Sequence, residues 1–143
     1  MAAATKFQQF VQDLAHQVHK LSTDTLKLML TLVAPVNTNA VKANLTEIAA
    51  GNGYTAGGTA ITITTAAQSA GTYTLAGNQV VFTAAGGAMA NFRYVALYND
   101  TPASPLDPLV AFWDYGSTLT LNDGESLTVS FNSANPGTIL TIA

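Results

Sequence analysis

Between Glu47 and Arg93 lie 45 consecutive residues without a single Asp, Glu, Lys or Arg. About a quarter of the residues in an ordinary soluble domain are ionic, whereas 9% are in this chain. Solvation of the stretch therefore falls to hydroxyls and amides, and threonine fills 20 of the 143 positions. Apolar residues make up 48% of the chain, but 24 residues are alanine, so large core side chains are scarce and the interior must be thin. A surface so poor in charge is suited to being covered by protein neighbours, because few ionic groups need desolvating on contact.

The charge balance and residue inventory exclude several classes. Five basic against eight acidic residues give a net charge of -3, with no excess of cations to displace counterions from phosphates, so no nucleic-acid partner is expected. Without cysteine there is no disulfide framework, thiolate nucleophile or Cys-based zinc site. A membrane-spanning helix needs about 20 apolar residues in a row. The greasiest stretch, Leu26 to Val36, is interrupted by Lys27, Thr31 and Pro35, and no membrane partner is expected. The N-terminus has glutamines where a signal peptide carries its apolar run, which implies synthesis and retention without secretion.

Hydrophobic periodicity divides the chain into an N-terminal helical arm over 1–24 and a β domain over 25–143. Phe7, Phe10, Val11, Leu14, Val18 and Leu21 follow the i, i+3, i+4, i+7 spacing of one helical face. Gln9, Gln12, Asp13, His16 and Lys20 form the wet back of that helix, which must dock on something. From Thr25 the period changes to two, and Leu26, Leu28, Leu30 and Leu32 mark a strand that Pro35 ends. Asn39 to Ala50 reads as a short helix stopped by Gly51.

Beyond Gly53, turn residues recur at the roughly 8–12-residue spacing of an all-β sandwich or barrel. Strands are expected at Thr59–Thr65, at Gly71–Leu75 paired as a hairpin with QVVFT, and at Phe92–Tyr98, Leu109–Trp113 and Thr138–Ile142. Phe92–Tyr98 reads as buried on both faces. A second hairpin is expected around Asn122-Asp123-Gly124-Glu125. The fold class is thus mainly β, a jelly-roll or related two-sheet β-sandwich with an N-terminal amphipathic helix, and an immunoglobulin-like sandwich is the runner-up.

Groups able to transfer protons, attack or hold a metal are rare. His16 and His19 are three apart, but both fall on the solvated side of the expected helix, with Asp13 the one carboxylate within a turn. No G-x-S-x-G elbow is present. Asp100, Asp107 and Asp123 stand in YNDTP, LDP and NDGE, contexts where the carboxylate bonds turn amides. GNGYTAGG over 51–58 lacks the Gly-Lys-Ser/Thr ending of a phosphate loop and reads as a sharp turn. No enzyme, metal or cofactor is expected. Arg93 is the only Lys or Arg after Lys42, and an arginine on an apolar strand calls for a bidentate carboxylate; Asp114 in FWDYG is the candidate, tying two strands together. Among the aromatics, Tyr54 and Tyr115 adjoin glycines or turns and are the candidate sugar platforms.

GNGYTAGGTAITITT, FRYVALYNDT, PLVAFWDYG and LTLNDGESLTVSF, in this order in one short chain, together resemble a family of small virion proteins of tailed bacteriophages. The resemblance covers about Leu26 to Ile142 and leaves out the arm. It implies a structural role as a capsid decoration or cement protein on the outer surface of the assembled shell. The implied partners are the major capsid protein and further copies of the chain, as dimer or trimer. A tail or tail-fibre component that recognises host glycans is the alternative. The apolar stripe of the arm is expected to supply intersubunit packing through Phe7, Phe10, Leu14 and Val18.

Overall fold

A computed structural model describes residues 3–143. The chain is mainly β, and its antiparallel sheets fit a β-sandwich. In chain order the elements are β1 (Thr5–Lys6), α1 (Gln9–Ala15), β2 (Leu26–Thr31), a single 3-10 turn (Lys42–Asn44), β3 (Thr59–Ala60), β4 (Ile63–Ser69) and β5 (Thr72–Gly77). They continue as β6 (Val80–Thr83), β7 (Phe92–Asn99), β8 (Leu109–Leu119), β9 (Ser126–Val129) and β10 (Gly137–Ile142). One sheet runs β1-β8-β7-β2-β3, a second β10-β5-β4, and β6 pairs with β9 alone.

Alternation along β2 and β7 decides where the core sits. Leu26, Leu28 and Leu30 of β2 and Val95 and Leu97 of β7 point to one side of the five-stranded sheet. There they meet Leu75 of β5, Phe82 of β6, Val129 of β9 and Ile139 of β10. The intervening Met29, Ala96 and Tyr98 face the other side and join Phe7, Leu109, Leu45 and Phe112 in a second, smaller cluster. The central sheet is therefore buried on both faces, which is why β7 reads as a nearly continuous apolar run.

The arm is part of this structure and not an appendage. Thr5 and Lys6 pair with Phe112 and Ala111, and the Phe7 and Gln8 amides donate to the carbonyls of Val110 and Asn37, so the division into 1–24 and 25–143 does not describe how the chain packs. The expected long helix shrinks to the seven residues of α1. It ends because Gln17 takes a left-handed conformation, φ 62°. The Val18 amide then donates to Asp13 O and the Gln17 amide to Leu14 O, the two bonds of a Schellman ending. Phe7, at 0% exposure, enters the second cluster, while Phe10 and Leu21, both at 5%, enter the main core. The stripe expected to bind another subunit is thus largely consumed by the chain's own thin interior.

The predicted helix over Asn39–Ala50 is also absent save for its 3-10 turn, where Asn44 Oδ1 accepts from the amides of Ala40 and Val41. This segment completes strand edges instead. The Ile48 amide donates to Leu30 O, and the Leu109 amide donates to Ala40 O. Tyr54 Oη accepts from the Leu30 amide at 3.2 Å and donates to Glu47 Oε1 at 2.7 Å. Glu47 Oε1 further accepts from Gly57 N, and Lys42 Nζ stands 3.2 Å from Glu47 Oε2, so one carboxylate fastens the whole 42–57 loop. Burial, together with the Glu47 carboxylate, pushes the Tyr54 phenol far above its ordinary value, against the opposing pull of the Leu30 amide. Gly58 must be glycine: at φ 76° it passes so close to β2 that a Cβ would collide with the Leu28 carbonyl.

Both expected hairpins are re-partnered. β5 pairs with β4 and β10, while β6 crosses to pair with β9. The crossing occurs at Gly77, where a Cβ would press on Ile61. The tight hairpin lies one strand earlier, between β4 and β5, where Ala70 (φ 49°) and Gly71 (φ 82°) form its primed turn. Asn122 to Glu125 does turn, with the Glu125 amide on Asn122 O, but β8 and β9, the strands it joins, lie in different sheets.

Replacing Tyr54 with Phe keeps the ring and orphans the buried Leu30 amide. The variant is expected to lose about 1–3 kcal/mol of unfolding free energy, the cost of an unpaired buried donor, read from urea denaturation at neutral pH.

Candidate interaction surfaces

Arg93 and Asp114 meet across β7 and β8 as half-buried neighbours. Nε donates to Oδ1 at 2.8 Å and Nη2 to Oδ2 at 2.9 Å, a bidentate pair, with the guanidinium 5.4 Å from the Tyr94 ring centre. The local register explains the place. Phe92 pairs with Leu119 but Tyr94 with Asp114, so Tyr115 to Thr118 bulge out of β8. Asp114 Oδ1 also accepts from the Gly116 amide at 2.8 Å, at the root of that bulge. The Arg93 guanidinium, then the Gly116 amide, hold the Asp114 carboxyl below the usual carboxylate range. Both side chains remain about a third exposed, at 37% and 35%, which places the pair among the weak surface bridges unless geometry compensates.

His19 departs from its expected position on a solvated helical back. Beyond the end of α1 it turns inward against Phe10, with ring centres 5.0 Å apart. Asn99, buried at the end of β7, donates from Nδ2 to His19 Nδ1 at 3.1 Å and to Asp24 Oδ2 at 2.6 Å. That arrangement assigns the proton of the neutral ring to Nε2. Nε2 and Asp13 Oδ2 are buried without a partner. Desolvation lowers the His19 pKa from 6.5, against the opposing pull of Asp13 and Asp24. Asn99 and Asp24 carried no sequence signal: each stands beside a turn, where amides and carboxylates are commonplace. His16 is exposed.

The remaining carboxylates serve turns and surface pairs. Asp123 Oδ1 accepts from the Gly86 amide at 2.9 Å, Glu125 Oε2 from the Asn122 amide at 2.8 Å, and Asp100 Oδ2 lies 2.9 Å from Lys27 Nζ. Among the described residues no three His, Asp or Glu side chains gather as a metal site would require. Nor, among the described residues, is any helix long and apolar enough to cross a membrane. Of the two candidate sugar platforms, Tyr54 is 3% exposed with its hydroxyl engaged, and is structural.

Tyr115 is 38% exposed and borders a groove of about 630 Å³. The groove runs between β9 and β10, with Trp113, Phe131, Asn132 and Ser133 among its lining residues and no ionic side chain. An adjoining apolar groove of about 380 Å³ lies beside Val11, Leu14 and Ile142. No family model, curated protein or solved structure matches the chain.

Two measurements probe these groups. Arg93→Ala and Asp114→Ala are expected to be non-additive, the double variant losing less stability than the sum of the single losses in urea denaturation. Because the folded Asp114 pKa is depressed, this coupling is complete above the ordinary value of 3.8 and vanishes as pH falls through the lower folded value. The folded His19 pKa is also depressed, so its contribution is complete above 6.5 and is lost as pH falls toward the folded value. Between about pH 7.5 and about pH 5, the urea midpoint of wild type should fall further than that of His19→Gln.

Proposed function

We propose that the chain is a structural component of a bacteriophage virion, a decoration protein that binds the outer surface of the assembled capsid. The observation that carries this reading is where the 45 charge-free residues go. They supply β3, β4, β5 and β6, including a strand, β4, with five of seven residues exposed. An exposed flank without ionic groups costs little to cover with protein, and lattice repetition makes weak contacts durable through multivalency. The major capsid protein and further copies of the chain are the partners of this reading, and the virion surface its location. For the finer topology we read a jelly-roll-related sandwich. The nested pairings β1 with β8, β2 with β7 and β4 with β5 support it, whereas the β7–β8 pairing within one sheet departs from it.

A tail component that recognises glycans is the second reading, favoured by the Tyr115 groove. Its Thr128, Asn132, Ser133 and Thr138 side chains carry hydroxyl and amide groups beside an aromatic wall.

Shells assembled without the protein are expected to burst at lower temperature, to regain stability when it is added, and to bind it in a copy number set by the shell lattice. Shells of unchanged stability, together with neutral-glycan binding on an array that Tyr115→Ala abolishes, would replace the first reading with the second.

A further inference from the structure

We propose that the free edge of β4 is a self-association surface on which a second copy of the chain pairs antiparallel about a two-fold axis, joining two three-stranded sheets into one of six strands. β4 is the outermost strand of its sheet, bonded to β5 on one side and to no strand on the other. An antiparallel strand directs its amides and carbonyls alternately to its two sides, so the outer side of β4 presents a row of unpaired donors and acceptors.

Sheets that end in water usually blunt that edge with short strands, lysines, prolines or a bulge. The other edges of this fold follow the rule. β1 and β3 are two residues long, and β6 and β9 four. β10 has a free side, but a register shift between Thr138 and Leu140 breaks its ladder in mid-strand. β4 alone is long and open: seven residues, Ile-Thr-Thr-Ala-Ala-Gln-Ser, with no charge and no proline. Its one irregularity, between Ile63 and Thr65, lies at its start.

A copy of the same chain fits this edge on two counts. Antiparallel self-pairing sets Thr, Ala and Gln opposite one another, small or hydroxyl-bearing partners that approach closely and bond across strands. Each copy carries a net charge of -3, but the flanking 45 residues contribute none of it, so the two edges meet without like charges between them. The Lys and Arg residues and the acids lie outside residues 48–92. A single paired strand is a modest contact, and the dimer is expected to be reversible with concentration. The pairing needs no capsid and stands independently of the virion reading.

Sedimentation of the purified full chain over a micromolar to millimolar series tests it. Wild type is expected to shift from monomer to dimer, with amide exchange in β4 slowing as the dimer forms. The double variant Thr65→Lys, Ala67→Lys, which places cations on exposed positions of that strand, should remain monomeric throughout while keeping the wild-type circular dichroism spectrum. Val11→Lys, at an exposed position of α1, should dimerise as wild type does. A wild type that stays monomeric overturns the proposal. So does a dimer that the β4 lysines leave intact, or one whose protected amides lie elsewhere. If the lysine variant loses the wild-type spectrum, the exchange measurement on wild type decides alone.

Discussion

Burial of the five-stranded sheet on both faces is the constraint from which the rest of the architecture follows. A chain with so few large side chains cannot fill a deep interior, so it builds two shallow ones on either side of β2, β7 and β8. Each needs a cover. The main side is closed by the smaller sheets, while the opposite side is closed by Phe7 and by the loop that carries Leu45. That demand pulls the N-terminal segment into the sheet as β1 and recruits Phe10, Leu14 and Leu21 to the main core. Burying a phenylalanine is worth on the order of 1.5–3 kcal/mol, a large fraction of the stability of a domain this size.

Local chemistry was legible in the sequence, and partnership was not. β2, β7 and β10 lie close to where alternation placed them, because alternation reports burial and these strands are buried. The side chains of Arg93 and Asp114 meet because a lone cation on an apolar strand has few carboxylates within reach. Hairpin logic failed where a tight turn was taken to imply neighbouring strands. Asn122 to Glu125 forms its turn, yet β8 pairs back onto β7 and β9 crosses to the distant β6. Nothing near such a turn announces that crossing, since the decision rests on long-range packing.

The helical stripe misled for a related reason. Its spacing is genuine, but periodicity shows that one face is apolar and is silent about what covers that face. Here the backbone leaves the helix at Gln17, and Phe7 and Phe10 go to opposite sides of the same sheet. His19 followed the same rearrangement from a presumed wet surface into the bond with Asn99. Glu47 went unremarked because a single glutamate in a loop looks ordinary until Tyr54, Gly57 and Lys42 converge on it.

Ions in solution act on a protein chiefly through its charges, and their reach shrinks to about 8 Å at physiological ionic strength. The sheet formed by β4, β5 and β10 has no formal charge for them to screen. Whatever adheres there holds on in brine much as in fresh water, while steering by the acids of the remaining surface fades as salt rises. The molecule thus has one side that senses its electrolyte and one that is nearly deaf to it.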